Sequence, residues 1–204
     1  PLTCVAWIDS VFLAVGSENG DVMKVNSITG DIVSRMSNRG AITALTKGQD
    51  NNLVTGNATG VISVYDARDM RLHYTTKGHK GWIRGIKFSD NGQYFLTVSD
   101  DGHYRKWKSG TEIVSIENRS LGDWILCGDF TNSPGQKFDI KAFGKRNGRV
   151  IINAGFGDYT LVLNSLINCI GIIRSELPSL VLALGTHGEG IQLLNAKAMK
   201  LKSK

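Results

Sequence analysis

Five stretches of the chain repeat one pattern, and this repeat constrains the fold more than any other feature. In each copy a small residue or Asn precedes a tight turn, and four alternating residues then lead to a bulky apolar residue. The copies end at Val25, Tyr65, Trp107, Leu163 and Leu194, a mean spacing close to 42 residues. Short strands and turns that recur about every 40 residues are typical of four-stranded propeller blades. The repeat predicts an all-β propeller of about five such blades.

Turn residues divide each unit into four expected strands, and no segment of useful length has the period of a helix. The third unit is the most regular. Its Asn91-Gly92 turn is a strong hairpin signal, because Asn-Gly tolerates the positive φ that such a turn needs. In the fourth unit we expect strands over 124–130, 150–153 and 160–163, separated by a lysine-rich insertion loop at about 131–149. The expected blades lie at approximately 1–37, 38–77, 78–120, 121–165 and 166–204.

The three cysteines align with small residues of the other units. One position of the first strand in each unit is occupied by Cys4, Ala44, Gly85, Cys127 and Cys169. The first strand of a blade lies nearest the crowded axis, so we expect these cysteines to pack as small apolar residues rather than to bind a metal. Reduced thiols favour an intracellular location, cytoplasmic, nuclear or nucleolar.

Composition and hydropathy argue against a membrane or secreted protein. Apolar residues make up 41% of the chain and charged residues 21%, which is ordinary for a soluble globular protein. The longest apolar run, 180–184, is too short to cross a bilayer, and the sequence from Pro1 has no secretory signal. We therefore expect no membrane partner.

The third unit resembles the WD40 repeat family. Gly78-His79 followed by Trp107 is similar to the Gly-His to Trp-Asp frame of that family, with Lys108 in place of the usual Asp. The resemblance extends over the chain and is strong over about 72–108. It implies a structural hydrogen-bonding tetrad of His79, Ser99, Asp101 and Trp107.

The same resemblance implies a larger assembly than five blades. Rings of this family most often have seven blades, so we expect part of a larger ring, completed by further residues or by another chain. Ile83-Arg84-Gly85-Ile86 also resembles repeats of nucleolar WD40 proteins of small-subunit ribosome assembly, although many WD40 proteins share this likeness.

Three patterns that could indicate catalysis or cofactor binding are better explained by structure. His79, Ser99 and Asp101 are the residue types of a hydrolase triad, but no Gly-x-Ser-x-Gly elbow surrounds Ser99. Gly155-Phe156-Gly157 lacks the third glycine and the helix of a dinucleotide site. The four histidines lack metal-ligand spacing. We therefore expect no enzyme, no cofactor and no metal.

Basic residues are concentrated in two segments. Residues 131–150 contain one acidic residue and five basic ones, Lys137, Lys141, Lys145, Arg146 and Arg149. A protruding loop with these residues could contact RNA phosphates or an acidic protein surface, and the alternative is a solvated loop. The lysines of 197–204 are interpreted as protection of a sheet edge.

A second candidate surface is the rim where the loops entering the first strands meet the tight turns. By family resemblance peptide partners dock there, and the residues proposed to bind them are Arg39, Lys80, Trp82 and Asp100, with Trp and Arg typical of binding hot spots. The sequence thus favours a non-catalytic scaffold for protein–protein interactions in a multi-subunit complex. The alternative is an RNA-contacting component of a ribonucleoprotein, acting through residues 137–149.

Overall fold

The fold consists of antiparallel sheets arranged side by side. The computed structural model describes residues 1–110, 112–132, 139–154, 158–174 and 180–195, and over these ranges it contains nineteen strands and no helix. The strands form five sheets, in which each strand pairs with its neighbour in the sequence. The all-β prediction is therefore confirmed.

The first three sheets have four strands each. The first sheet contains β1 (Leu2–Trp7), β2 (Phe12–Ser17), β3 (Asp21–Asn26) and β4 (Ile32–Ser37). The second contains β5 (Ile42–Lys47), β6 (Asn52–Asn57), β7 (Val61–Asp66) and β8 (Leu72–Lys77). The third contains β9 (Ile83–Phe88), β10 (Tyr94–Ser99), β11 (His103–Lys108) and β12 (Val114–Ser120).

The last two sheets follow the same meander. The fourth contains β13 (Ile125–Thr131), β14 (Ile140–Lys145), β15 (Arg149–Asn153) and β16 (Asp158–Val162). The fifth contains β17 (Ile167–Arg174), β18 (Val181–Thr186) and β19 (Gly190–Asn195) within the described residues. The first strands of successive sheets are neighbours, so that β1, β5, β9, β13 and β17 line a common axis.

The predicted insertion loop at 131–149 is wrong in extent. Residues 140–145 form β14, which pairs with β13 and β15, and the connection before it ends at Asp139. The tight turn of this sheet lies at 145–148, where Gly148 has a φ of 75° and donates to the carbonyl of Lys145. The fourth copy of the repeat therefore ends at Asn153 rather than Leu163, and the spacings become 40, 42, 46 and 41.

Small residues near the axis let one sheet approach the next. Cys4, Ala44, Cys127 and Cys169 each pair with a glycine of the second strand, whereas Gly85 pairs with Val98. A methyl group on Gly56 would lie 2.5 Å from Cγ2 of Ile83 in the following sheet. The space that glycine leaves is thus filled by an isoleucine of the next first strand.

The same contact recurs at Gly16 with Ile42 and at Gly144 with Ile167. Four buried apolar clusters fill the spaces between successive sheets, from the first to the fifth. The repeated sequence therefore provides the contacts by which each sheet packs against the next one around the axis.

The two end sheets have faces that no other described sheet covers. Trp7 is 60% exposed on the first sheet, beside the exposed Leu2 and Val5. On the fifth sheet Ile191 is 83% exposed, and Leu193 is also exposed. Among the described residues no apolar cluster joins these two sheets, so they form an open arc.

Candidate functional site

The tight turns and the residues before the first strands lie at one end of all five sheets. In each sheet the turn between the second and third strands donates a backbone hydrogen bond to the residue that precedes the first strand. The pairs are Glu18 with Pro1, Ala58 with Ala41, Asp100 with Trp82, Arg146 with Trp124, and His187 with Leu166. We call this end of the sheets the tight-turn face.

Neighbouring turns and loops are in contact across this face. Gly102, with a φ of 76°, accepts a hydrogen bond from the backbone N–H of Leu121 at 2.8 Å. A Cβ on Gly102 would lie 3.1 Å from the carbonyl oxygen of Gly122, in the loop that leads to Trp124. The tight-turn face is therefore continuous from the third sheet to the fourth.

A buried hydrogen-bond chain supports the tight turn of the third sheet. The Nε1–H of Trp107 donates to Oγ1 of Thr97 at 2.9 Å, and the same hydroxyl lies 2.7 Å from Nε2 of His79. Nδ1 of His79 lies 3.0 Å from Oδ2 of Asp101. Indole is only a donor, so Thr97 accepts from Trp107 and donates to His79. His79 then carries its proton on Nδ1 and donates it to Asp101.

The charge states of this chain follow from its burial. Loss of solvent lowers the pKa of His79 to about 4, although Asp101 opposes the shift, so that the imidazole is neutral at pH 7. Burial alone would raise the pKa of Asp101. The backbone N–H groups of Lys80 and His103, together with His79, outweigh burial and hold that pKa below its usual value. As a carboxylate, Asp101 thus joins the loop at 79–80 to the tight turn that ends at His103.

Ser99 does not hold the place in this chain that the family resemblance implies. Its Oγ accepts from the backbone N–H of Asp101 at 3.1 Å, and the hydroxyl between histidine and indole belongs to Thr97. Both side chains lie on the same face of β10, two residues apart, and the pairing of Trp107 with Phe95 places Thr97 nearer the indole. His79, Asp101 and Trp107 are brought together as expected from their positions.

The order hydroxyl, imidazole, carboxylate is also that of a hydrolase triad. Thr97 is fully buried, however, and its oxygen accepts from Trp107. A nucleophile must reach its substrate, and this hydroxyl cannot. The geometry therefore supports a structural role for this hydrogen-bond chain, which satisfies buried polar groups and fixes the tight turn.

Trp82 and the half-buried Arg84 form a stacked pair beside this turn. Trp82 is 47% exposed, and the guanidinium of Arg84 lies 4.7 Å from its ring centre. Asp100 accepts from Nε and Nη2 of Arg84 at 2.8 and 2.6 Å. Three of the candidate residues, Lys80, Trp82 and Asp100, therefore lie together, and the sequence analysis missed the arginine that joins two of them.

Arg39 lies on the same face, in the loop before the second sheet. Its side chain is exposed, and its carbonyl accepts from the side-chain amide of Asn57 at 2.8 Å. Lys80 is likewise exposed, with its backbone N–H bound to Asp101. Both cations are thus presented from backbone that is held in place.

A second tryptophan–arginine pair lies on the tight-turn face of the fourth sheet. Trp124 is 41% exposed, and the guanidinium of Arg146 lies 4.4 Å from its ring centre. Arg146 was a candidate residue, whereas Trp124 was missed. The signal for it was present, because tryptophan immediately precedes the first strand in two successive units.

The five basic candidates do not form one protruding surface. Lys141 is buried and binds Oε2 of Glu117 at 2.6 Å, and Lys145 is buried and donates to the carbonyl of Leu121. Burial lowers the pKa of Lys145, although the nearby carboxylate of Asp123 opposes the shift. Arg146 and Arg149 are exposed, and Lys137 lies outside the described residues. The interpretation of Lys141 and Lys145 as loop residues is corrected: both belong to β14.

Among the described residues no group of three or more His, Cys, Asp or Glu side chains is placed to hold a metal ion. In the same part of the chain, no helix has the length and apolar character needed to cross a membrane. Gly155-Phe156-Gly157 and the lysines of 197–204 lie outside the described residues.

Comparison with known sequences gives matches over parts of the chain. Residues 70–108 match the family model of the WD domain, G-beta repeat. The chain is 36% identical over 77 residues to the nuclear distribution protein nudF of Aspergillus terreus, and 42% identical over 92 residues to the nuclear distribution protein PAC1 of Ajellomyces capsulatus. These alignments cover 37% and 44% of this chain but 17% and 20% of the relatives.

Comparison with solved structures extends over nearly the whole chain. The structure of U3-55K superposes with a TM-score of 0.82 and 17% identity, covering 96% of this chain and 61% of that chain. The crystal structure of RRP9 WD40 repeats superposes with a TM-score of 0.81, also at 17% identity, covering 60% of that chain. At this identity the likeness shows the fold.

The five sheets and these superpositions define a β-propeller. The match to the WD repeat model covers β8 of the second sheet and β9, β10 and β11 of the third. Repeats of this family generally mediate interactions between proteins, and the family's propellers are typically non-catalytic scaffolds.

The buried hydrogen-bond chain yields a prediction that distinguishes the role of Thr97 from that of Ser99. Thr97→Val keeps the volume but leaves Nε2 of His79 and Nε1–H of Trp107 without a partner, so we expect it to lower the free energy of unfolding by about 2–4 kcal/mol. Ser99→Ala removes one hydrogen bond and should cost about 1 kcal/mol. Urea denaturation of both variants measures the difference. Equal losses would contradict the assignment of Thr97 as the bridging hydroxyl.

Proposed function

We propose that the protein is a non-catalytic scaffold that binds a protein partner on the tight-turn face of its second and third blades. The observation that carries the proposal is Trp82, half-exposed and held against Arg84, whose guanidinium is fixed by Asp100. A large aromatic side chain that is already ordered loses little conformational entropy on binding, and such residues dominate interaction hot spots.

The charged residues around Trp82 indicate which kind of partner this surface favours. Lys80 and Arg39 are exposed on either side of the turn at 57–60, and their backbone is hydrogen-bonded to neighbouring segments. Exposed cations around an aromatic anchor favour a partner with acidic groups at the rim and an apolar group at the centre. An intracellular multi-subunit complex is the setting we propose for this binding.

RNA contact through residues 137–149 is the second candidate. Of its five basic residues, Lys141 and Lys145 are buried and bound within the protein, which leaves Arg146 and Arg149 exposed in the described part of the chain. Two arginines give a weak electrostatic footprint compared with the many phosphate contacts of typical RNA-binding proteins. Partner binding on the tight-turn face is therefore better supported.

Crosslinking mass spectrometry on the native complex tests the scaffold proposal. Lys80 is exposed two residues before Trp82 in the sequence, whereas Lys108 is exposed at the opposite end of the third sheet. We expect partner crosslinks at Lys80, reduced at least tenfold by Trp82→Ala, while crosslinks at Lys108 are unchanged. Ile28→Ala, which removes an exposed apolar residue from the opposite end, is the matched control. Partner crosslinks at Lys80 that are insensitive to Trp82 would contradict the proposal.

We also propose that further blades cover the two open ends of the arc. Support comes from the apolar side chains exposed there, among them Trp7 and Ile191, and from the 61% of the U3-55K chain that the superposition covers. Each inner sheet of this chain has both faces covered by its neighbours, and exposed apolar patches of this kind mark interaction surfaces. An apolar sheet face is required to cover each end, whether it belongs to the same polypeptide or to another.

Cysteine labelling tests the covering of the fifth sheet. Cys169 is exposed on the open face, whereas Cys127 occupies the equivalent position of the fourth sheet and is buried. We expect iodoacetamide to modify Cys169 in the 204-residue chain but not in the native protein or complex, with Cys127 protected in both. Equal labelling of Cys169 in both samples would show that nothing covers this face.

A further inference from the structure

The tight turns of the third and fourth blades are equivalent in backbone but opposite in charge. Asp100 and Arg146 occupy the same position, because each donates its backbone N–H to the tryptophan that precedes the first strand. The third turn carries Asp100 and Asp101, whereas the fourth carries Lys145, Arg146 and Arg149. The two blades therefore present the same aromatic group, an indole, beside turns of opposite charge.

In the third blade the arginine of the tryptophan–arginine pair already has its carboxylate. Arg84 is stacked on Trp82 and binds both oxygens of Asp100, one through Nε and one through Nη2. This two-point geometry is the preferred arrangement of a guanidinium and a carboxylate. The third blade thus contains a complete set of indole, guanidinium and acid.

In the fourth blade the acid is missing from the same set. Arg146 is stacked on Trp124 but forms no ion pair with any carboxylate in the described part of the chain. Arg149 is exposed nearby, and the side chain of Asp123 accepts from the backbone N–H of Trp124 at 2.8 Å. A guanidinium held in place by an indole has fewer conformations to lose when a carboxylate binds.

We propose that Trp124, Arg146 and Arg149 form a binding site for an aspartate or glutamate side chain of an acidic peptide segment on a protein partner. The site rests on the proposed scaffold function and gives it a second anchor point, one blade away from Trp82. The third blade shows the same three groups in contact: the partner's carboxylate supplies at Arg146 the acid that Asp100 supplies at Arg84, although Arg146 itself holds the backbone position of Asp100.

The geometry favours a carboxylate over RNA at this site. One face of the Trp124 indole is covered by the guanidinium of Arg146, which removes a surface on which a base would stack. The buried Lys145 is bound to the carbonyl of Leu121 and is not available to a phosphate. What remains is a fork of donors from Arg146, with the exposed Arg149 at the end of the same turn, which suits a planar acid.

Fluorescence anisotropy with synthetic probes tests this site on the purified protein. The probes are a fluorescein-labelled hexaglutamate peptide, the corresponding hexaglutamine peptide and a labelled hexauridine RNA. We expect the acidic peptide to bind most tightly, and Arg146→Gln to weaken its binding roughly tenfold to a hundredfold. Arg146→Lys, which keeps the charge but loses the planar fork, should weaken it as well. Lys108→Gln is the matched control, because it removes one exposed charge at the opposite end.

Three results would overturn the proposal: no preference for the acidic peptide, an unchanged affinity in Arg146→Gln, or tighter binding of hexauridine that is lost in the same variant. Circular dichroism of each variant verifies that the fold is retained. Because the assay contains no native partner, it can succeed when crosslinking at Lys80 fails, and the reverse also holds. The two proposals are therefore distinguished.

Discussion

The stacking of the sheets depends on one contact near the axis, in which an isoleucine of a first strand fills the space left by a glycine of the preceding sheet, at three of the four interfaces between the described sheets. Gly16 with Ile42, Gly56 with Ile83 and Gly144 with Ile167 repeat it. Because a side chain on these glycines would collide with the next sheet, the contact sets how closely sheets approach. The distance between neighbouring sheets in turn sets the positions of the hydrogen-bonded turns that form the tight-turn face.

The third interface shows how this constraint can be met with different residues. There Gly85 lies on the first strand and Val98 faces it from the second, so that the small and the large residue exchange places. A methyl on Gly85 would lie 3.2 Å from Val98, and one on Gly128 would lie 2.8 Å from it. A small and a larger residue therefore still meet near the axis at this interface, with their strand positions exchanged.

The periodicity, the small inner positions and the polar turn were readable from the sequence, because each depends on residues close together in the chain. The strand β14 was not, since Lys141 and Lys145 mark a solvent-exposed loop unless Glu117 and the carbonyl of Leu121 are known to lie opposite them. For a similar reason the sequence could not decide whether Thr97 or Ser99 bridges His79 and Trp107. Both are small hydroxyl residues on one face of β10, and the register across the sheet decides between them.

The tight-turn face combines rigid backbone with variable chemistry. The buried chain through His79 fixes the third turn, and the turns that surround it carry aromatic, acidic and basic groups on nearly the same framework. Binding energy can then come from Trp82, Trp124 and their arginines without a large ordering cost. In the proposed function the side chains at the turns provide the binding contacts, while the inner strands maintain the arc.

The central contact is tested most directly by a double-mutant cycle at Gly56 and Ile83. Gly56→Ala should lower the free energy of unfolding by about 1–3 kcal/mol, because the added methyl overpacks the space that Ile83 fills. Gly110→Ala, where the methyl would meet only a carbonyl oxygen at 3.6 Å, should change it by less than about 0.5 kcal/mol. In the Ile83→Ala background Gly56→Ala should cost at least about 0.5 kcal/mol less than in the parent. Additive losses at the two positions would contradict the account.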